Sequence, residues 1–215
     1  MTSIILTSTV TVNPNTSSVF QKDKHSRINT YLKSIRQWLE KTTLNIILVE
    51  NTGYNFDELN EEKIKYKDRF EVVFFDELKL SEASYIHNTI SKGRREIFAI
   101  DYAFDNSIIV KKSFFIIKIT ARFYIPDFED YLTEHDLNKY DCLVQNDPNR
   151  CEVVGSHINN FKNLFCKYLD TSCPRDNMEA VWKNRASKYK KILRCKLFSI
   201  DKTQRGGVSQ QYTSI

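Results

Sequence analysis

The 215-residue sequence predicts an α/β protein with a mostly parallel central sheet flanked by helices. Two observations carry this prediction. Short, nearly continuous apolar segments have the length and composition of strands that are buried on both faces. Segments with helical spacing of apolar residues alternate with them along the chain, and such alternation is typical of a parallel sheet covered by helices.

The first third of the chain predicts strand, helix, strand and strand. Residues 4–12 alternate β-branched and apolar side chains up to Pro14, which favours a first strand. Residues 26–42 place their apolar side chains on one helical stripe. Residues 44–50 and 71–76 are short apolar segments, and both predict buried strands.

The middle of the chain predicts a helical region and the most apolar strand. Residues 81–107 are expected to be mostly helical, with Gly93 separating a short helix from a longer one. Residues 113–120 follow as a strand, and Pro126 ends the segment after it. Residues 127–136 are acidic and predict one or two helical turns.

The last third predicts two strands and then two helices. Residues 140–145 and 151–155 are short strands joined by a turn at 146–149. Residues 159–169 and 177–194 have helical apolar spacing, and the tail beyond residue 200 is polar.

Composition excludes several classes of protein. Lysine and arginine (32) exceed aspartate and glutamate (27) by five, which suits an anionic small ligand but not a nucleic-acid partner. No apolar run approaches the ~20 residues that span a bilayer, and no secretory signal is evident. The five cysteines form no CxxC pair, which favours reduced thiols over disulfides or zinc. We expect one cytoplasmic domain over residues 1–215, either complete or part of a longer polypeptide.

A parallel sheet leaves a crevice beyond the carboxyl ends of its strands, and this is where we expect the binding site. Lys118, Thr120 and Arg122 alternate along the most apolar strand and so share one face. Cations in such a strand either reach the crevice, where they suit a phosphate, or pair with internal acids such as Glu96, Asp101 or Glu152. These alternatives remain open on sequence grounds.

Two further segments fit a phosphorylated ligand. Asn51, Thr52 and Gly53 end a buried strand, where they either contact a base or ribose or form a plain turn. Residues 92–96 (Lys-Gly-Arg-Arg-Glu) open a helix, where backbone N–H groups and cations favour an anion. A solvated surface cluster of charges explains residues 92–96 equally well.

Carboxylates that follow strands or open helices are candidates for a general base or a metal ligand. The sequence does not assign these roles to particular residues. The chain has no GxxxxGK[ST], GxGxxG, GxSxG or HExxH motif, which counts against nucleotide hydrolases, classical dehydrogenases, serine hydrolases and zincins.

Taken in order, five segments resemble the small GT-A-type glycosyltransferases of chlorella viruses and related algae. The segments are residues 5–9 (ILTST), 49–53 (VENTG), 92–103 (KGRREIFAIDYA), 117–123 (IKITARF) and 150–155 (RCEVVG). The resemblance implies a GT-A-like nucleotide-diphospho-sugar transferase fold, a UDP-sugar donor commonly held with Mn²⁺, and a glycan or glycoprotein acceptor. It further implies a part in glycosylation of a viral capsid protein in the host cytoplasm.

The resemblance also implies roles for individual residues. The donor would be bound by the first strand end, the second strand end, the helix start and the central strand, namely Thr7, Ser8, Thr9, Asn51, Lys92, Gly93, Glu96, Lys118, Thr120 and Arg122. The Asp-x-Asp metal motif of many GT-A enzymes is missing. The pair Asp76-Glu77 is its nearest local substitute, with Asp76 as the metal ligand, and residues 120–122 are an alternative occupant of the motif's position.

Glu152 is the first candidate for the general base, and Asp76 is the second. Two other functions fit the same sequence features. One is a non-catalytic module that binds a sugar nucleotide or a glycan in the same crevice. The other is an interaction domain of a larger enzyme, which would use the cationic helix near the carboxyl end as a docking surface.

Overall fold

The computed structural model describes residues 1–14, 16, 19–147, 149–168 and 177–215. A seven-stranded sheet has the order β3-β2-β1-β4-β6-β5-β7. Its strands are β1 (Thr2–Ser8), β2 (Asn45–Glu50), β3 (Phe70–Phe74), β4 (Phe115–Thr120), β5 (Cys142–Val144), β6 (Val153–His157) and β7 (Ile192–Arg194). Only β6 runs against the others in this sheet. The predicted α/β class with a mostly parallel sheet is therefore confirmed.

Helices cover both faces of the sheet. They are α1 (Lys24–Lys41), α2 (Asn60–Lys65), α3 (Lys92–Asn106), α4 (Ile108–Lys111), α5 (Phe128–Thr133), α6 (Ile158–Leu164) and α7 (Met178–Ala186). One apolar core includes residues of α1 and α5, and the other includes residues of α3, α6 and α7. Strands β1, β2 and β4 are buried along almost their whole length, as their continuous apolar sequences predict.

Side chains fix where the long helices begin. The Asp23 carboxylate accepts a hydrogen bond from the Ser26 amide at 2.8 Å and caps α1. Ser91 and Asn177 cap α3 and α7 in the same way. An N-cap satisfies amide groups that have no partner within the helix. These caps place the first turns of α3 and α7 beside the carboxyl end of the sheet.

Two expectations are wrong, one about the helix over 177–194 and one about Gly93. The predicted helix over 177–194 ends at Ala186, and Ile192–Arg194 joins the sheet as β7 beside β5. The polar tail forms a hairpin of β8 (Ser199–Gln204) and β9 (Gln211–Ser214), because exposed strands of a two-stranded hairpin need no apolar run. Gly93 lies inside the first turn of α3 and does not divide two helices.

Free cysteines fit the expected reduced thiols. Cys142, Cys151 and Cys195 are buried, and Cys166 is partly buried. Cys173 lies outside the described residues.

Gly155 in β6 is required by close packing against β4. A methyl group at its Cα would lie 3.0 Å from Ile117 Cγ1, 3.0 Å from Phe115 Cε1 and 3.1 Å from the Ile116 carbonyl oxygen. We expect Gly155→Ala to lower the free energy of unfolding by about 1–3 kcal/mol, because a packed sheet cannot move away from the methyl group. Urea denaturation measures the change, and an unaltered midpoint would contradict this packing.

Candidate functional site

A cavity of about 680 Å³ lies at the carboxyl ends of the parallel strands. Its volume is within the range of small-molecule sites. The ends of β1, β2 and β4 form its floor, with α3, α7 and the turn of the β8–β9 hairpin around it. The carboxyl edge of an α/β sheet is the common position for a ligand, which agrees with the predicted crevice.

The Glu50 carboxylate joins the loops after β1 and β2. Its Oε1 accepts hydrogen bonds from the Val10 amide at 2.9 Å and the Thr52 hydroxyl at 2.5 Å. Its Oε2 accepts from the Thr52 amide at 2.8 Å and the Tyr54 amide at 2.9 Å. Burial raises the pKa of Glu50, although these hydrogen bonds oppose the shift. One buried side chain thus sets the spacing of two cavity walls.

The Asn51 carboxamide is held in one orientation. Its Oδ1 accepts from the Thr9 hydroxyl at 2.7 Å, and its Nδ2 donates to Glu77 Oε2 at 2.7 Å. Glu77 in turn forms a buried ion pair with Arg95. The guanidinium of Arg95 also donates to the carbonyl oxygens of His87 and Thr89. Asn51 lines the cavity, so a buried charge pair orients an amide that a ligand can contact.

Lys118 is satisfied inside the protein. Only 2% of its side chain is exposed. Its ammonium group forms an ion pair with Glu96 Oε1 at 2.8 Å and donates to the Cys151 carbonyl at 2.6 Å and Thr120 Oγ1 at 3.3 Å. Glu96 Oε1 also accepts from the Thr7 hydroxyl at 2.8 Å. Lys118 therefore organises the cavity floor through Glu96, and a direct contact with a ligand would compete with these bonds.

Glu152 is paired with two arginines. Arg150 Nε lies 3.2 Å from its Oε2, and Arg205 Nε lies 3.4 Å from its Oε1. Burial raises the pKa of Glu152, but the charges of Arg150 and Arg205 and the hydrogen bond from Arg150 outweigh burial, so the net pKa is lowered. This carboxylate ties the β8–β9 hairpin to the sheet.

Arg122 differs from the other cations of the cavity. It follows β4 directly and lines the cavity, but no carboxylate of the described residues lies within ion-pairing distance of its guanidinium. Its Nε is buried and has no hydrogen-bond partner among the described residues. The guanidinium lies over the Phe123 ring, 5.6 Å from the ring centroid. A cation so placed lacks compensation within the described part of the fold.

Two more cations, Arg27 and Lys92, are close enough to Arg122 for its charge to lower their pKa values. Burial lowers the pKa of Arg27, and Arg122 lowers it further while Tyr31 raises it. Burial also lowers the pKa of Lys92, Glu179 raises it, and Arg122 lowers it. The Arg27 guanidinium donates only to the Thr9 and Gln21 carbonyls and to the Tyr31 hydroxyl among the described residues.

Positive charge exceeds negative charge around the cavity. The described lining residues include six cationic and four anionic side chains. The cationic ones are Arg27, Lys92, Arg95, Lys118, Arg122 and Arg205, and the anionic ones are Glu77, Glu96, Glu152 and Glu179. Low-dielectric walls concentrate such a field inside a cleft, so the cavity favours an anionic ligand.

Most of the sequence-predicted site residues meet at this cavity. Those that line it are Thr7, Ser8, Thr9, Asn51, Lys92, Gly93, Glu96, Lys118, Thr120, Arg122 and Glu152. Asp76 does not line it. The Asp76 carboxylate forms an ion pair with Lys79 at 3.1 Å and accepts from the Leu78 amide. Its neighbour Glu77 lines the cavity, so the roles predicted for Asp76 have no support from its position.

The described residues do not fit a divalent metal ion. No group of three or more histidine, cysteine, aspartate or glutamate side chains among them is placed to hold one. The carboxylates of Glu77, Glu96 and Glu152 already pair with cations. A hard divalent cation needs several oxygen ligands, so the Mn²⁺ expected from the family resemblance finds no ligand set within this part of the chain.

Sequence reasoning missed Arg27, Arg95 and Arg205 as parts of the site. Arg27 had a usable signal, because it lies on the apolar stripe of α1, four residues before Tyr31. Arg95 lies in a charged segment that gives no hint of which side chain is buried. Arg205 sits in a polar tail, and only the tertiary structure brings that tail to the cavity.

Two solved structures are similar to this chain. One is a protein of Desulfovibrio desulfuricans G20 assigned as a nucleotide-diphospho-sugar transferase, 17% identical over 90% of this chain and 79% of that chain, with a TM-score of 0.48. The other is S. aureus TarS 1–349, 10% identical over 90% of this chain and 57% of that chain, with a TM-score of 0.52. No protein-family model and no curated protein matches the sequence.

At these identities the likeness concerns the fold. The predicted α/β class, with a mostly parallel sheet flanked by helices, is confirmed, and the fold is similar to that of S. aureus TarS. Neither structure comes from a chlorella virus or an alga, so that part of the resemblance stays a prediction. Within the described residues, no helix combines the length and apolar character needed to cross a bilayer.

The lowered pKa of Glu152 predicts a pH-dependent contribution to stability. A carboxylate with a lowered folded-state pKa stabilises the protein above its unfolded pKa of about 4.3, and this contribution is lost as pH falls through the folded value. We expect Glu152→Gln to lower the free energy of unfolding by about 1–3 kcal/mol at pH 7 and by less at pH 3.5.

Urea denaturation at both pH values measures this difference. Glu62→Gln is the matched control, because Glu62 pairs with Arg36 at the surface and exposed pairs contribute little. A difference for Glu152→Gln that stays constant or grows toward pH 3.5 would contradict the ion pairs.

Proposed function

We propose that the protein is a glycosyltransferase that moves a sugar from a UDP-sugar donor to a glycan hydroxyl. The observation that carries the proposal is the Arg122 guanidinium, which lines a cavity at the carboxyl edge of a GT-A-like sheet without a carboxylate partner among the described residues. A nucleotide diphosphate supplies the missing negative charge and accepts hydrogen bonds from a guanidinium in a bidentate geometry.

The nucleoside end of the donor is assigned to the ends of β1 and β2. Asn51 already uses one N–H and one oxygen lone pair within the protein, and its carboxamide keeps one further donor and one further acceptor. Uracil presents a donor and an acceptor side by side along one edge. The fixed orientation of Asn51 therefore supports recognition of uracil, and Glu77 and Arg95 support it indirectly.

Electrostatic stabilisation of the departing UDP would be the main source of rate enhancement. Negative charge develops on the phosphate oxygen as the bond to the sugar breaks, and cations that are already positioned need no reorganisation at that moment. Arg122 and Lys92 fit this task because both line the cavity. Lys118 contributes through Glu96, since its own donors are occupied.

The general base is assigned to Glu179, in the first turn of α7. Its side chain lines the cavity, and no cation among the described residues lies within ion-pairing distance of it. Glu152, the first candidate from the sequence, has a lowered pKa, which makes a carboxylate a weaker proton acceptor. Glu152 is better suited to hold Arg205 and the hairpin beside the donor.

The acceptor and the biological setting come from the sequence resemblance alone. They are a glycan of a viral capsid glycoprotein and the host cytoplasm, and both stay predictions. The alternative of a non-catalytic sugar-nucleotide module predicts UDP binding without turnover. The alternative of an interaction domain predicts an assembly that has no affinity for UDP.

Ligand-induced stabilisation tests the donor class. We expect UDP to raise the melting temperature more than GDP or CMP at equal concentration, with and without Mn²⁺, because a hundredfold excess over Kd stabilises by about 2.7 kcal/mol. A thermal-shift panel of the three nucleotides measures this. Equal shifts for all three, or none for UDP, would remove the UDP assignment.

Turnover in two variants tests the base. We expect Glu179→Gln to lower kcat by about 10²–10⁴-fold with UDP affinity unchanged, which is the usual contribution of a general base. Glu152→Gln is expected to raise KM for the donor and to reduce kcat far less. UDP-sugar consumption in the presence of candidate glycan acceptors measures both. A Glu179→Gln enzyme with wild-type kcat would show that another group takes the proton.

A further inference from the structure

We propose that the Arg122 guanidinium replaces a divalent metal ion in this protein, so that the donor diphosphate binds and departs without Mn²⁺. This inference rests on the proposed function and deepens it. Arg122 follows Thr120 and Ala121 at the carboxyl end of β4. It therefore lies in the same cleft as the ends of β1 and β2.

The electrostatic balance supports a metal-free site. The six cationic and four anionic side chains among the described lining residues leave an excess of two positive charges. The diphosphate of a nucleotide sugar carries about two negative charges, since each phosphate is a diester with one ionised oxygen. The ligand alone therefore balances the charge of the cavity, and an added divalent cation would restore the imbalance.

The carboxylates of the cavity point to the same conclusion. Glu77, Glu96 and Glu152 are each paired with a cation at the cavity wall. Moving any of them to a metal ion would leave Arg95, Lys118 or Arg150 buried without compensation, and breaking a buried pair is costly. Among the described lining residues Glu179 is the remaining carboxylate, and one carboxylate does not make a site for a hard divalent ion.

The position of the Arg122 guanidinium is fixed from several sides. Its Cζ lies over the Phe123 ring, 5.6 Å from the ring centroid, and the Phe123 carbonyl accepts a hydrogen bond from Trp38 Nε1 at 2.9 Å. Gly206 in the hairpin turn approaches so closely that a methyl group there would lie 2.9 Å from Arg122 Nη2. A guanidinium held in one position can act as a preorganised partner for phosphate oxygens.

The sugar transfer needs no group beyond the protein, the donor and the acceptor. The acceptor oxygen forms a bond to the anomeric carbon, and the bond from that carbon to the phosphate oxygen breaks with its electron pair on UDP. The acceptor proton goes to Glu179. Arg122 stabilises the negative charge that appears on the diphosphate, the task that a metal ion performs in many transferases.

Isothermal titration calorimetry with two probes, UDP and inorganic pyrophosphate, in EDTA and in MnCl₂, tests the inference, and GDP is titrated for comparison with UDP. We expect both probes to bind wild-type protein in EDTA, with dissociation constants within about twofold of those in MnCl₂. Arg122→Met should weaken both by about 10–100-fold, because a hydrogen-bonded charge contributes about 1.5–3 kcal/mol. Arg122→Lys should lie between, since lysine keeps the charge and loses the bidentate geometry.

Two further variants distinguish an effect at Arg122 from an effect of any change in charge or stability. Gly206→Ala should displace the Arg122 guanidinium from its position and weaken pyrophosphate binding severalfold, with little change in melting temperature because only the far end of that side chain has to shift. Arg36→Met removes an arginine that pairs with Glu62 outside the cavity, and it should leave both dissociation constants unchanged.

The possible outcomes are distinct. Binding of UDP and pyrophosphate only in MnCl₂, or unchanged binding by Arg122→Met, would overturn the inference. Absence of pyrophosphate binding under both conditions would overturn it as well. If pyrophosphate binds through Arg122 in EDTA while UDP binds no more tightly than GDP, the metal-free anion site stands and the proposed UDP donor is wrong.

Discussion

The proposed function depends most on the Arg122 guanidinium, which has no carboxylate partner among the described residues. Lys118 lies on β4, four residues before Arg122, and is equally cationic, but it has Glu96 at 2.8 Å and almost no exposure. Lys118 is therefore paired with an acid inside the protein, whereas Arg122 reaches the cavity. The buried Nε of Arg122 has no partner among the described residues, which is unfavourable, and a bound anion would remove that cost.

The neighbouring loops and the β8–β9 hairpin hold Arg122 at the cavity, where a ligand can contact it. Glu50 fixes the loops after β1 and β2 through four hydrogen bonds, so the cavity wall facing Arg122 is rigid. The β8–β9 hairpin covers the opposite side of the cavity. An ion pair between Arg205 and Glu152 holds it there, and Gly206 in its turn packs closely against Arg122. Elements from both ends of the chain therefore meet around one guanidinium.

The sequence predicted the sheet and the cavity edge well, because buried parallel strands are recognisable as continuous apolar runs. It predicted Asn51 and Arg122 at that edge for the same reason. It did not reveal that Lys118 would be saturated by Glu96, since the choice of an ion-pair partner is a tertiary matter. The sequence does not predict the β8–β9 hairpin, because its strands are polar and exposed, and it does not show that of Asp76 and Glu77 the second lines the cavity.

A crystal structure of the protein with UDP, grown without divalent metal, tests the central claim most directly. We expect uracil beside Asn51 and a diphosphate oxygen within about 3.2 Å of the Arg122 guanidinium. A diphosphate that lies away from Arg122, with Arg122 paired to a carboxylate of the protein, would contradict it.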